Sequence, residues 1–288
     1  MSTSAPTRRR RCPVATLGSA VPEGHTLHRL ARLHQRRYAG APVAVSSPQG
    51  RFAAAATAVD GRVLQRATAW GKHLFHHYVG GSTVHVHLGL YGTFTEWTRP
   101  PDAAVPAPVG QVRMRMVGAE YGTDLRGPTV CELIDDAQVA DVVSRLGPDP
   151  LRRDADPAWP WARITKSRRP IGALLMDQTV IAGVGNVYRN ELLFRHGIDP
   201  YRPGRAIREA EFDVAWKDLV DLMKLGLRHG KIVAVRPEHD YGAPSYGPGR
   251  PRTYVYRRAG EPCRVCATAI RTAELEGRNV FWCPACQT

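Results

Sequence analysis

The chain has 288 residues, 43% of them hydrophobic, with 40 Lys+Arg against 26 Asp+Glu and a formal net charge of +14. That length accommodates two or three domains with real cores, at roughly 100–200 residues each. The apolar fraction excludes a disordered chain, no apolar run reaches the ~18 residues of a membrane helix, and the basic surplus favours an acidic partner, nucleic acid foremost.

Residues 1–20 are Arg- and Ser/Thr-rich without the apolar stretch of a secretory signal, and read as a disordered extension. Residues 21–136 read as mainly β. HTLHRLARLHQRRY first places Leu27, Leu30 and Leu33 on one helical face, and Gly40 and Pro42 stop it. Strands are predicted over 62–67, 73–78, 84–88, 94–97, 112–117 and 130–134, a spacing that suggests a sandwich or barrel. Residues 137–240 read as helical after the turn-rich LGPDPL at 146–151. In their last helix Phe212, Ala215, Trp216, Leu219, Leu222, Met223 and Leu227 form a core stripe ended by Gly230. YGAPSYGPGRPR at 241–252 has the Gly and Pro content of a linker, and a Cys-rich tail occupies 251–288.

In that tail, Cys263-x2-Cys266 and Cys283-x2-Cys286 are separated by 16 residues. Two such pairs offer four thiolates to one Zn²⁺, a closed and therefore structural site. The tail is too small for a hydrophobic core of its own, so the metal supplies its folding free energy. Disulfide pairing is the alternative. A hairpin between the pairs puts Glu276, Gly277, Arg278 and Asn279 at its tip, where Arg278 is placed to meet phosphate. Cys12 and Cys131 stand alone.

Gly183 and Gly185 in IAGVGNVYRNELLF allow a tight turn, and Asn186 is positioned to cap the helix that follows. This is either an ordinary interhelical turn or a phosphate-holding helix start. His85 and His87 alternate on a strand, as a metal pair or as packed, hydrogen-bonded side chains. His25 and His28 lie on the first helix near Glu23.

Six segments, in order, carry a resemblance: PEGHT (22–26), GKHLF (71–75), HLGLYG (87–92), LGPDPL (146–151), LLMDQTVIAGVGNVYRNELLF (174–194) and GRNVFWCPACQ (277–287). Together they resemble the formamidopyrimidine-DNA glycosylase / endonuclease VIII family of base-excision repair, over nearly the whole chain. HLGLYG and PEGH are closer to the endonuclease VIII branch. The resemblance implies an α+β multidomain protein: an N-terminal β-sandwich with a catalytic helix, a helix–two-turn–helix DNA-binding domain and a C-terminal zinc-finger hairpin. It implies a bifunctional glycosylase and AP lyase acting on oxidised bases, pyrimidines more than 8-oxoguanine. Damaged duplex DNA is the implied partner, with single-stranded DNA as a second candidate. A monomer in the cytoplasm, associated with the nucleoid, goes with that reading.

By the same resemblance, Pro22 is the amine nucleophile at C1′ and Glu23 the general acid/base. Lys72 contacts phosphate and assists base release, Asn186 grips the backbone, and Arg278 binds phosphate and promotes the second elimination. The chemistry agrees, because a deprotonated proline amine condenses to an iminium that acidifies C2′–H. The damaged base must leave the stack, and Leu90 and Tyr91 are bulky enough to fill the gap, with core packing as the alternative. Thr26 stands where many members carry a second Glu.

The position of Pro22 in the chain opposes this chemistry. Twenty-one residues precede it, and an internal proline nitrogen is an amide without a nucleophilic lone pair. The preferred account is a start site placed too far upstream, with Val21 read as the initiator and then removed. Processing of the extension is a second account, and a damage-binding paralogue without lyase chemistry a third. A zinc-ribbon RNA-binding protein is the rival from another class, and it leaves the first 250 residues unexplained.

Overall fold

The computed structural model describes residues 15–16, 22–99, 104–243, 247 and 249–288. Strand β1 (Ala15–Thr16) is followed by α1 (Gly24–Tyr38), β2 (Ala44–Ser46), α2 (Ala53–Val59), β3 (Leu64–Trp70) and β4 (His73–Tyr78). Then come β5 (Thr83–His87), β6 (Thr93–Thr98), β7 (Val112–Val117), β8 (Tyr121–Arg126) and β9 (Val130–Ile134). The helices α3 (Asp136–Ser144), α4 (Ala158–Ile164), α5 (Ile171–Leu174), α6 (Asn186–Arg195) and α7 (Glu209–His229) precede the hairpin β10 (Arg271–Leu275) and β11 (Arg278–Trp282).

The strands form two antiparallel sheets, β1-β6-β8-β7-β2 and β3-β4-β5-β9, that share one core with α1. Strand alternation explains the layering. Leu74, Val84 and Val86 point into that core with Leu27 and Leu30 of α1, while His73, Phe75 and His85 stack on the opposite face. Sequence reading misses β8, because YGTDLR looks like a turn. Its Gly122 lies under the Trp97 ring, and its Asp124 is paired with Arg115 at 2.6 and 2.9 Å, so the polar strand is buried in an ion pair.

The extension read as disordered departs from that reading at its one described piece. Ala15 and Thr16 pair with Glu96 and Thr95, covering the edge that β6 would otherwise leave open; the rest of 1–20 lies outside the described residues.

The helical domain has its own core. The whole expected stripe of α7 is buried, and Gly230 ends the helix at φ 70° in the left-handed conformation. The described residues of the 241–252 segment contain no helix or strand. A third apolar cluster joins Phe194 of α6 to Tyr254, Val255, Ile270, Phe281 and two zinc-ligand cysteines. No helix among the described residues is long and apolar enough to cross a membrane.

Candidate active site

The first turn of α6 is built around a carboxylate from another domain. Glu23, fully buried, precedes α1 and accepts from the backbone N–H groups of Val187 at 2.7 Å, Gly185 at 3.0 Å and Tyr188 at 3.4 Å. Orphan donors at a helix start and the positive end of its dipole both favour an anion there. Burial nevertheless raises the Glu23 pKa above the ordinary 4.5, against the pull of Lys72 and the three N–H groups. A carboxyl that holds its proton more tightly than usual is suited to general acid work.

The expected cap is therefore corrected. Gly185, not Asn186, is the N-cap of α6, and Glu23 supplies the missing acceptor from across the domain boundary. The glycine pair has two separate reasons. Gly183 needs φ 90°, and its carbonyl accepts from Gly24 N at 2.8 Å, locking the turn to the start of α1. Gly185 has ordinary backbone angles but no room, since a Cβ there would lie 2.5 Å from Glu23 Cδ.

Lys72 sits at the β3–β4 turn. The preceding Gly71 donates to Asp149 Oδ2 at 2.7 Å, and His28 holds the same oxygen at 2.6 Å. The Asp of LGPDPL thus clamps that turn to α1 and the helical domain. Burial lowers the Lys72 pKa, Arg278 lowers it further, and Glu23 opposes both.

Polar side chains of α6 also carry the zinc hairpin. Asn186 and Arg189 both donate to Asn279 O, at 3.0 and 2.9 Å, and Asn190 Oδ1 accepts from Phe281 N at 2.7 Å. On the far side of the turn, Arg169 binds both oxygens of Glu276, at 2.6 and 3.1 Å. The hairpin turn is Glu276–Gly277, and Arg278 is the first residue of β11, exposed.

The domains meet at a cleft of about 740 Å³ lined by Pro22, Lys72, Leu90, Tyr91, Asn186 and Arg278. Six residues singled out from sequence thus converge from three regions of the chain, with Glu23 beneath them. Leu90 is 44% and Tyr91 85% exposed, so they are projecting side chains rather than core. Sequence reading missed Tyr256 and Arg257, which also line the cleft. Their loop is held by Glu191 of α6, whose buried carboxylate accepts from Tyr254, Val255 and Tyr256 N at 2.6, 3.0 and 2.9 Å. A lone carboxylate amid NVYRNELLF was the available signal.

The strand histidines resolve as hydrogen-bonded side chains. His85 joins Glu132 at 2.9 Å and His73 at 2.8 Å, and His87 Nδ1 accepts from Gly89 N at 3.1 Å while lining the cleft. His25 packs edge-on to Tyr188 with its pKa lowered by burial to about 3. Neither His25 nor His28 lines the cleft.

Among the described residues, the group able to hold a metal is Cys263, Cys266, Cys283 and Cys286, with ligand atoms within 4.8 Å of one another. Sγ–Sγ separations of 3.4 to 3.9 Å approach the roughly 3.8 Å edge of a Zn–S₄ tetrahedron. Cys131 is a half-buried free thiol whose pKa burial pushes up to about 12, and Cys12 lies outside the described residues.

Three family models cover the same regions: the formamidopyrimidine-DNA glycosylase N-terminal domain over 21–128, its H2TH domain over 146–236, and the zinc finger found in FPG and IleRS over 260–288. Endonuclease 8 1 of Mycobacterium tuberculosis (strain H37Rv) is 81% identical over 268 residues, covering 93% of this chain and all of that protein. The chain belongs to the formamidopyrimidine-DNA glycosylase / endonuclease VIII family. It is a DNA glycosylase/AP lyase of base-excision repair with one structural zinc.

A second family member, Endonuclease 8 2 of Mycobacterium bovis, is 33% identical over 278 residues, covering 93% of this chain and all of that protein. MutM (Fpg) of Thermus thermophilus superposes with a TM-score of 0.73 at 26% identity, over 92% of this chain and 98% of that one. Lactococcus lactis Fpg in complex with abasic-site DNA, at 22% identity and TM-score 0.76 over 92% and 99%, shares the fold. Membership disfavours the zinc-ribbon RNA-binding alternative, since two matched domains precede the finger.

Proposed function

We propose that the enzyme binds damaged duplex DNA, removes oxidised pyrimidines and then cuts the abasic strand through an iminium at Pro22. The observation that carries this is the convergence of Pro22, Lys72 and Arg278 on one cleft above the buried Glu23. Leu90 and Tyr91 fill the gap left by the extruded base, and Asn186 orients the strand. The preference for pyrimidines rests on HLGLYG and PEGH and on the 81% identity to a protein named Endonuclease 8 1. Single-stranded DNA is a second substrate in this reading, the enzyme acts as a monomer, and its place is the cytoplasm, on the nucleoid.

In the reacting form Pro22 is amino-terminal, so that its nitrogen is a secondary amine. The N-terminal family match beginning at residue 21 supports this. The amine adds to C1′ as the glycosidic bond breaks, and the departing base takes a proton; the proline nitrogen then loses its proton and the C1′–O4′ bond opens, O4′ taking a proton, to leave the iminium. The iminium then loses a C2′ proton to a base and expels the 3′ phosphate; proton loss from C4′ expels the 5′ phosphate, and water releases Pro22. Glu23 is the proton donor and acceptor at the sugar, while Lys72 and Arg278 stabilise the phosphate charge.

Borohydride trapping on oligonucleotides with an abasic site or an oxidised pyrimidine tests the reading. A version beginning Met-Pro22, with Met removed, is expected to crosslink, and the intact 288-residue chain is not. Binding by both with crosslinking by neither would replace the lyase with a damage-binding paralogue.

A further inference from the structure

Four non-glycine residues among the described residues have left-handed φ: Tyr241, Arg257, Ala267 and Glu276. Ala267 adjoins a zinc-ligand cysteine and Glu276 forms the hairpin turn, positions where tight turns impose the angle. Arg257, at φ 56°, likewise stands in a tight turn, closed by Arg258 N–H donating to Val255 O at 3.1 Å. The turn follows directly on the strap whose three N–H groups, those of Tyr254, Val255 and Tyr256, donate to Glu191. Glycine adopts this conformation without a steric penalty, and arginine does not. A strained residue retained at a site invites a functional explanation.

The side chain supplies one. Of the two consecutive arginines, Arg258 is buried and commits its guanidinium to Glu261 and the carbonyls of Tyr254 and Pro262. Arg257 is exposed, lies over the Tyr256 ring at 5.3 Å from its centroid, and lines the cleft. No carboxylate among the described residues pairs with it. The cleft lining includes Lys72, Arg257 and Arg278 and no Asp or Glu, and Glu23, buried beneath it, acts on Lys72. Beside Tyr256 the guanidinium stays exposed, where a charged acceptor such as a phosphate can reach it.

We propose that Arg257 is a further DNA-contacting residue, binding a backbone phosphodiester of the strand in the cleft, and that the left-handed backbone is kept to aim it there. This inference rests on the DNA-repair reading above. It assigns a phosphate to a residue that contributes to affinity while straining its own backbone.

Salt-dependent binding of the full chain to a duplex carrying a tetrahydrofuran abasic analogue tests it. Each neutralised phosphate contributes about 0.9 to the slope of log K against log salt. Arg257→Gly is expected to reduce that slope by about 1 and to weaken binding several-fold, without lowering Tm. Arg257→Lys is expected to keep the slope. Wild-type slope and affinity in Arg257→Gly would overturn the proposal, as would a Tm lowered in both variants, which would mark a structural brace. A flat salt dependence in the wild type would overturn the DNA reading itself, a result distinguishable from either.

Discussion

The carboxylate of Glu23 occupies the space that a side chain on Gly185 would fill, and Gly185 N–H donates to it at 3.0 Å. A residue at the head of the sandwich domain thereby completes a helix of the second domain. The first turn of α6 holds the acid, and the acid in turn neutralises the orphan donors of that turn.

Gly185→Ala is therefore expected to cost far more activity than one methyl suggests. Its Cβ would lie 2.5 Å from Glu23 Cδ, so the carboxylate must move or the turn must open. Single-turnover excision should fall by at least about 100-fold, of the order a 1 Å misplacement costs, while binding to abasic-analogue DNA changes only a few-fold. Near-wild-type excision would show that the carboxylate has freedom to relocate.

Glu23→Gln should abolish base release and leave DNA binding nearly intact; unchanged turnover would remove Glu23 from the mechanism. The variant also tests the electrostatics. Burial raises the Glu23 pKa, so the folded chain holds this proton to higher pH than the unfolded chain. Its contribution to stability is greatest below the ordinary 4.5 and declines as pH climbs through the folded value. Gln lacks that decline, so Tm of wild type minus Tm of the variant should become more negative from about pH 4 to about pH 7. A difference independent of pH would mean that Glu23 titrates as in the unfolded chain.

Zinc removal should act on DNA binding before it acts on the sandwich. The hairpin bearing Arg278 depends on four thiolates for most of its folding free energy, since its apolar cluster is small. One zinc per chain is expected by elemental analysis. Cys283→Ser should lose the metal and weaken DNA binding at least about tenfold, a loss of roughly 1.4 kcal/mol, with near-native far-UV signal from the β-sandwich. Arg278→Ala should weaken binding with the metal retained and shift products from β,δ- toward β-elimination, read from the ends of the cleaved strand.

Leu90→Ala and Tyr91→Ala should separate stability from function. Both side chains are exposed, so each change should alter stability by no more than about 0.5 kcal/mol. Excision from duplex DNA should nevertheless fall, and less so from a single strand, where no stack must be refilled. A Tm loss of several degrees would return these residues to the core.

Much of the site was legible in the amino-acid order, because its chemistry is carried by residue types at short spacings. Two CxxC pairs name a zinc site wherever they fold together, and the seven apolar positions of α7 name their own buried face. The segments with Pro22, Glu23, Lys72, Asn186 and Arg278 were likewise legible as motifs. Strand β8 was not, because Gly122 and Asp124 acquire their strand character from Trp97 and Arg115, which lie on neighbouring strands. Asn186 was read as a cap for a similar reason: local sequence proposes the nearest acceptor, and here the acceptor comes from residue 23.

The family and the metal site follow from the residues alone, since these depend on what the side chains are. Packing settles what those groups experience. Only the seating of α1 against the 183–185 turn buries Glu23 and raises its pKa, only Asp149 fixes the Lys72 turn, and only the packing of the 254–258 strap on Glu191 of α6 brings Arg257 to the cleft. Burial, dielectric and backbone strain arise from contacts between residues far apart in the chain, and no local pattern of amino acids records them.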